Sequence, residues 1–320
     1  MMNPSAPEQI RPEVSAIVCT HNPRPALFAE TLASLRAQTL PHDRWELLVI
    51  DNASEPPVNA NWEVAWHPRG RIITEPQLGL TKARLCGFRE AAAELFVLVD
   101  DDNVLAPNYL ETALGLSVEW PVLGAWGGQC VPRFETIPPD WTRPLWPLLG
   151  IREFDEDRWS NVLSDGQPLP IGAGMCVRRA VAERYVEHLA HNPKRASLDR
   201  AANRLMSCGD TDLAFTAIDL DLGCGLFTSL RLEHLMPAWR FEEDYLRDLV
   251  HGINYSAVIL ASYRGMQPSV ISRSQRVLKW YEALHLDRWQ RDFDRIIRRA
   301  REAALRDLAQ FHPMEKSIAK

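Results

Sequence analysis

Three carboxylates in a row, Asp100, Asp101 and Asp102, follow directly on the apolar run Leu95 to Val99. An unbroken run of Leu, Phe and Val reads as a strand buried on both faces. Charge therefore appears where the strand leaves the core, the end at which open α/β sheets bind ligands. Adjacent acids repel one another, so such a cluster is expected to keep a cation or strong donors close by. Oxygen donors suit a hard ion, Mg²⁺ or Mn²⁺, better than zinc. The plainer reading is an acidic loop leading to a helix near Pro107, with Asp102 or Asn103 as its cap. Two further apolar runs end in the same way. Val14 to Cys19 stops at Thr20, His21 and Asn22, and Glu46 to Ile50 stops at Asp51. One polar strand end is commonplace, but three on one edge of a parallel sheet look like a nucleotide pocket.

Chemistry-bearing residues recur downstream. Gly209-Asp210-Thr211-Asp212 opens a helix carrying Leu213, Ala217 and Leu220. Acids in a first helical turn are favoured by the macrodipole, so capping by Asp210 is the default reading there. His234 ends an alternating stretch in which Leu226, Leu230 and Leu232 share a face. A lone histidine is more often a hydrogen-bonded core or surface residue than a ligand. Neither Gly172 nor Gly174 belongs to a GxGxxG or phosphate-loop pattern, so dehydrogenase and ATPase readings lack their fingerprints.

The elements that must position these groups follow from the chain in order. Strands at 14–19, 46–50, 71–74 and 95–99 alternate with helices after Pro25 and over Leu80 to Ala93. Strand and helix at this pace predict parallel crossovers in a doubly wound sheet. A helix over 107–117 and strands over 124–131 and 171–177 extend it, the latter followed by a helix with Val181, Tyr185 and Leu189. Residues 132–170 hold seven prolines interleaved with Trp141, Trp146 and Trp159, which excludes regular helix or central strand. They form either a lid or substrate wall, or a loop whose tryptophans plug the core edge. Residues 191–204 are polar and basic, and are expected on the surface. Beyond Pro237, Tyr245 to Val258 and Trp289 to Phe311 follow three-four spacings that predict a helical extension packed on the catalytic part.

The expected division is a disordered tail at 1–12, a main α/β domain at 13–236, itself in two halves at about 13–104 and 105–236, and the extension at 237–320. With 320 residues, 46% hydrophobic and 24% charged, the chain can bury a large core. A formal charge of -6 gives no reason to expect nucleic acid. The six cysteines contain no CxxC pair, which argues for a reducing compartment and against a zinc ribbon. No signal-peptide core and no run of about 18 apolar residues is present, so the expected location is the cytoplasm. The inner face of the membrane is left open: the mixed Arg/Asp face of the last helix reads first as a solvated surface, with peripheral membrane contact or a homodimer as less supported readings.

The chain resembles the family 2 glycosyltransferases, inverting enzymes with the glycosyltransferase-A fold. The matching residues are Val14 to Asn22, Leu32 to Leu35 with Gln38, Leu48 to Ser54, Gly79 to Gly87, Val97 to Asn103, Gly209 to Leu213 and His234, in order over about 14–235. The resemblance implies a Rossmann-like, mainly parallel sheet with flanking helices. It implies a nucleotide pocket of Thr20, Asn22, Asp51, Arg84, Asp100 and Asp101, with Asp51 on the base and Asp100 near the ribose. Asp102 is implied as the ligand of a Mn²⁺ or Mg²⁺ ion, His234 as completing its shell, and Asp210 as the base that deprotonates the acceptor, with Asp212 as the alternate. Where the family usually has Glu before the base, this chain has Gly209; where it often has Arg a turn later, this chain has Thr216.

The implied reaction is transfer from a nucleoside-diphosphate sugar to a hydroxyl of a saccharide or lipid-linked saccharide, in polysaccharide or glycoconjugate synthesis. It needs one base and a cation for the departing diphosphate, whereas a glycosidase needs two cooperating carboxyls. A sugar-phosphate nucleotidyltransferase and a non-catalytic nucleotide-sugar binding protein are the alternatives.

Overall fold

The computed structural model describes residues 11–162, 168–200, 205–266 and 288–311. Strands β1 (Val14–Thr20), β2 (Trp45–Asp51), β3 (Gly70–Thr74) and β4 (Leu95–Asp100) are parallel and lie in the order β3-β2-β1-β4. Helix α1 (Pro25–Arg36) joins β1 to β2, and α2 (Leu80–Glu90) joins β3 to β4. Every residue of β1 and β2 is buried, which is why these strands show no polar alternation.

Period-2 geometry divides their side chains between two apolar layers. Val14, Ala16 and Val18 pack with Phe28 and Leu35 of α1 and with Leu110 and Ala113 of α3 (Tyr109–Glu119). Ile17 and Cys19 face the opposite layer, with Ala83 and Phe88 of α2, Val181 and Tyr185 of α4 (Arg179–His191), and Leu213 of α5 (Gly209–Ile218). The register sets Thr20 beside Asp51 and Cys19 beside Asp100, so the polar strand ends share one edge.

The second half of the sheet is mixed. Strands β5 (Asn103–Leu105), β6 (Leu123–Phe134), β7 (Arg158–Ser160), β8 (Cys176–Arg178) and β9 (Gly223–Met236) continue from β4 in the order β8-β6-β9-β5, with β7 on β9. β6 and β9 are parallel, while β8 runs against both its neighbours. The strand expected over 171–177 shrinks to β8 because Gly174 turns the chain at a φ of 74°. Its carbonyl there accepts from the Tyr109 hydroxyl at 2.6 Å.

The proline- and tryptophan-rich segment does two jobs. β6 runs on to Phe134, and 3₁₀ turns span Asp140–Leu149 around Pro144 and Pro147. Trp146 packs on Phe134 at 5.0 Å, and Trp141 stacks on Trp289 at 4.3 Å and 9°. Trp141 and Trp146 thus plug the core edge, whereas Trp159 is exposed, and the same segment supplies a wall to the cavity described below. Trp289 belongs to α7 (Arg288–Phe311), which packs on α6 (Glu243–Tyr263). Leu246 and Leu249 of α6 and Phe293 of α7 close over Leu145 and Leu149. Part of the Arg/Asp face of α7 is turned inward: Asp292 pairs with Arg247 of α6 at 2.6 Å. The expected tail, up to residue 10, and the Phe311 side chain lie outside the described residues. No helix among the described residues is long and apolar enough to cross a membrane.

Candidate active site

A two-residue turn, Asp101-Asp102, separates β4 from β5. The Asn103 side chain holds it by accepting from the Asp100 amide at 3.1 Å and donating to Asp102 Oδ1 at 3.2 Å. β5 pairs antiparallel with β9 so that Asn103 faces His234, and the register carries the histidine to the acidic turn. His234 Nε2 lies 3.3 Å from Asp102 Oδ1, both side chains being buried. Arg240, on the 3₁₀ turn Ala238–Phe241 after β9, donates from Nη2 to Asp102 Oδ2 at 2.6 Å. Its Nη1 is 2.9 Å from His234 Nε2.

Burial alone would raise the Asp102 pKa, but Arg240 and His234 outweigh it and hold the carboxyl below the usual carboxylate range. Asp101 moves the other way. Burial and the neighbouring Asp102 charge push it up to about 7, against a 2.5 Å hydrogen bond from the Thr20 hydroxyl. A raised folded-state pKa means that the folded chain binds more protons than the unfolded one between the ordinary value and about 7, so stability falls as pH rises through that window. Asp101→Asn should therefore flatten the decline in melting temperature between roughly pH 4 and 7. Thermal melts of both proteins across that range check it; parallel curves would remove Asp101 as the cause.

Asp210 enters from α5. Its Oδ2 accepts from the Gly172 amide at 3.0 Å and its Oδ1 from the Thr211 amide at 2.7 Å, leaving the carboxylate half-buried and facing the cavity. Beside it, Arg84 of α2 donates to Asp199 at 3.1 Å, with both side chains about 6% exposed. Burial opposes the charge on Arg84, but Asp199, Asp100 and Asp210 keep it protonated with a raised pKa. Two glycines make room for this pair. A Cβ on Gly172 would strike the Arg84 guanidinium, and one on Gly209 would strike the Asp199 carboxylate. Asp199 thus fills space beside the position where the family usually carries Glu.

Thr20, Arg84, Asp100, Asp101, Asp102, Asp210 and His234 all line one cavity of about 410 Å³. Pro147 to Gly150 form part of its wall. Three expected site residues stand outside that wall. Asp51 spends its carboxylate on the backbone, accepting from the Ser54 amide at 3.0 Å and the Val58 amide at 2.9 Å. Asn22, at a φ of 49°, accepts from the Glu55 amide at 2.8 Å and anchors the same loop. Asp212 is completely buried between Arg195 and Arg264, at 2.5 and 2.9 Å, two positions along α5 from Asp210 and therefore on another face. It is the centre of an ion-pair network and does not line the cavity. The cavity also contains His21 and Asn52, from the marked strand ends, and Asp199, Arg200 and Arg240, which the sequence patterns did not mark. Asp199 lies in the segment expected on the surface, and is instead 5% exposed.

A family model described as glycosyl transferase family 2 matches residues 15–186. The chain belongs to this family. Its sheet and flanking helices are those of the glycosyltransferase-A fold. The family match ends within α4, so Asp210, His234 and Arg240 lie beyond it. An N-acetylglucosaminyltransferase of Mesorhizobium japonicum is 30% identical over 37% of this chain and 28% of its own length. The N-acetylglucosaminyltransferase of Sinorhizobium fredii is 32% identical over 37% and 29%. The matched part of the chain thus spans less than a third of these two relatives. Among solved structures, the mannosyltransferase PcManGT of Pyrobaculum calidifontis, in complex with GDP-Man and Mn²⁺, is 19% identical with a TM-score of 0.54 over 97% of this chain and 77% of its own. S. aureus TarS 1-349 in complex with UDP-GlcNAc is 17% identical with a TM-score of 0.52 over 93% and 81%. At these identities the likeness is one of fold.

Carboxylate and imidazole are suitable donors for Mn²⁺ or Mg²⁺. Among the described residues, however, no three His, Cys, Asp or Glu side chains are grouped to hold an ion. The guanidinium of Arg240 lies against the donor atoms of both Asp102 and His234.

Proposed function

We propose that this glycosyltransferase moves a sugar from a nucleoside-diphosphate sugar to a hydroxyl of a saccharide or lipid-linked saccharide, inverting the anomeric centre. The observation that carries the reading is that Asp210 and the Asp100–Asp102 turn face the same cavity. Asp210 takes the proton of the acceptor hydroxyl as its oxygen bonds to the anomeric carbon. The bond from that carbon to the diphosphate oxygen breaks on the opposite face, which inverts the centre. The two backbone amides fix the direction of the Asp210 carboxylate and so cut the cost of orienting it. Thr20, Asp100 and Asp101 serve the nucleotide side, and Arg84 contributes fixed positive charge near the phosphates. Asp51 and Asn22 act through the loop they anchor, which shapes the base end of the pocket.

Asp102 and His234 would hold a divalent cation, which when bound supplies positive charge to the departing diphosphate. UDP or GDP should then raise the melting temperature more with Mn²⁺ than with EDTA, and Asp102→Ala should abolish the difference. A shift independent of the ion would speak against the cation. The main test incubates the protein with a panel of nucleotide sugars and follows diphosphate release. Release with a saccharide acceptor supports transfer. Pyrophosphate from a nucleoside triphosphate and a sugar phosphate would point to a nucleotidyltransferase. Stabilisation by donors without turnover would point to a binding protein.

A further inference from the structure

The contacts among Asp102, His234 and Arg240 cannot all be satisfied together. His234 Nε2 lies 2.9 Å from a guanidinium nitrogen, which can only donate, and 3.3 Å from a carboxylate oxygen, which can only accept. With its proton on Nδ1, Nε2 accepts from Arg240 but has no proton to donate to Asp102. With its proton on Nε2, it satisfies Asp102 and opposes Arg240. In addition His234 Nδ1 and Arg240 Nε are both buried with no hydrogen-bond partner. A polar cluster left partly unsatisfied is a poor permanent arrangement. A spherical cation in the guanidinium's place would suit both an Nε2 lone pair and the carboxylate.

Arg240 also lines the cavity, within reach of a ligand bound there. A guanidinium binds phosphate oxygens in bidentate fashion at least as well as it binds a carboxylate. Five aspartates border the cavity, Asp100, Asp101, Asp102, Asp199 and Asp210, against three arginines, Arg84, Arg200 and Arg240. If a diphosphate drew Arg240 away, Asp102 would be left buried without its counter-charge, and a divalent ion would be drawn to it.

We propose that Arg240 is an internal counter-ion that closes the Asp102–His234 position in the free protein, and yields it to a divalent metal ion only when a nucleoside diphosphate offers the guanidinium phosphate oxygens instead. The inference rests on the donor reading given above, and makes metal and nucleotide binding reciprocally coupled. It adds Arg240 as a diphosphate-binding residue and orders the loading, with nucleotide leading and metal following.

The test measures Mn²⁺ binding directly, by loss of the free-ion electron paramagnetic resonance signal. The full chain and Arg240→Gln are each titrated with Mn²⁺ alone and with Mn²⁺ plus UDP or GDP, against a control for binding by the nucleotide itself. The expected result is that the native chain takes up Mn²⁺ at least tenfold more tightly with nucleotide than without. Arg240→Gln should bind Mn²⁺ alone at least tenfold more tightly than the native chain does. Equal affinity of the two proteins for Mn²⁺ alone overturns the counter-ion. No gain on adding either nucleotide to the native chain overturns the ordered loading. Should Arg240→Gln not fold, Arg240→Lys serves, since a single ammonium cannot bridge as the planar fork does, and an increased Mn²⁺ affinity is again expected. None of these measurements needs turnover, so failure of the transfer reading would appear separately, as absence of diphosphate release from every donor.

Discussion

Asp210→Asn should lower the rate of sugar transfer by about 10² to 10⁴ while nucleoside diphosphates still stabilise the protein. The magnitude is that of losing a general base, since an amide cannot accept the acceptor's proton at any useful pH. Retention of nucleotide binding follows from position. Asp210 sits on α5, and its carboxylate accepts from the Gly172 and Thr211 amides, outside β1, β2 and β4. Asn has one acceptor oxygen for the two amides that Asp210 now serves, so some side-chain reorientation is expected with it. Pairing transfer kinetics with nucleotide-dependent melting shifts separates chemistry from binding. Equal loss of both in a folded variant would remove Asp210 from the proton transfer.

Asp212→Ala should act on stability instead. Its carboxylate accepts from Arg195, on the 3₁₀ turn Pro193–Leu198 after α4, and from Arg264, just past the end of α6. Removing one member of a buried charge network leaves the others unpaired, at a cost of about 3–5 kcal/mol. Arg264 keeps Asp219 at 3.0 Å, which softens the loss on that side, whereas no other carboxylate partner of Arg195 is recorded among the described ion pairs. At this size such a change lowers the melting temperature by roughly 4–7 °C. Thermal melts of the variant check it, and a drop of only a degree or two would mean that water already serves the two guanidinium groups. The two aspartates thus share a helical turn, one lining the cavity and the other locked to the fold.

Much of this was legible in the residue pattern, for identifiable reasons. A strand buried on both faces is a run of apolar residues with nothing else to signal, so β1, β2 and β4 and their polar ends stood out. The family membership was visible in the same ends, together with Gly209-Asp210. What stayed hidden depended on partners remote in sequence. Asp199 and Arg84 are 115 residues apart, and a polar segment reads as exposed until its counter-charge is known. Arg240 lies beyond Pro237, in a stretch where helical periodicity dominates and a single arginine carries no signal. Asp51 had the residue type of a ligand contact, but the Ser54 and Val58 amides that engage it belong to a loop whose path no local rule fixes. The expected strand at 171–177 failed for a related reason. Apolar residues around glycines fit a strand and a tight turn equally well, and the choice was made by Tyr109 from across the sheet.

The paired indoles of Trp141 and Trp289 carry a last implication. The segment that contains Trp141 goes on to form the Pro147–Gly150 wall, and it rests on α6 and α7 from behind. The shape of that wall is therefore exposed to drift in two helices that reach the cavity only through Ile253 of α6. Among homologous chains, divergence in this scaffold is expected to reshape the cavity wall while Asp210, held on α5, keeps its place.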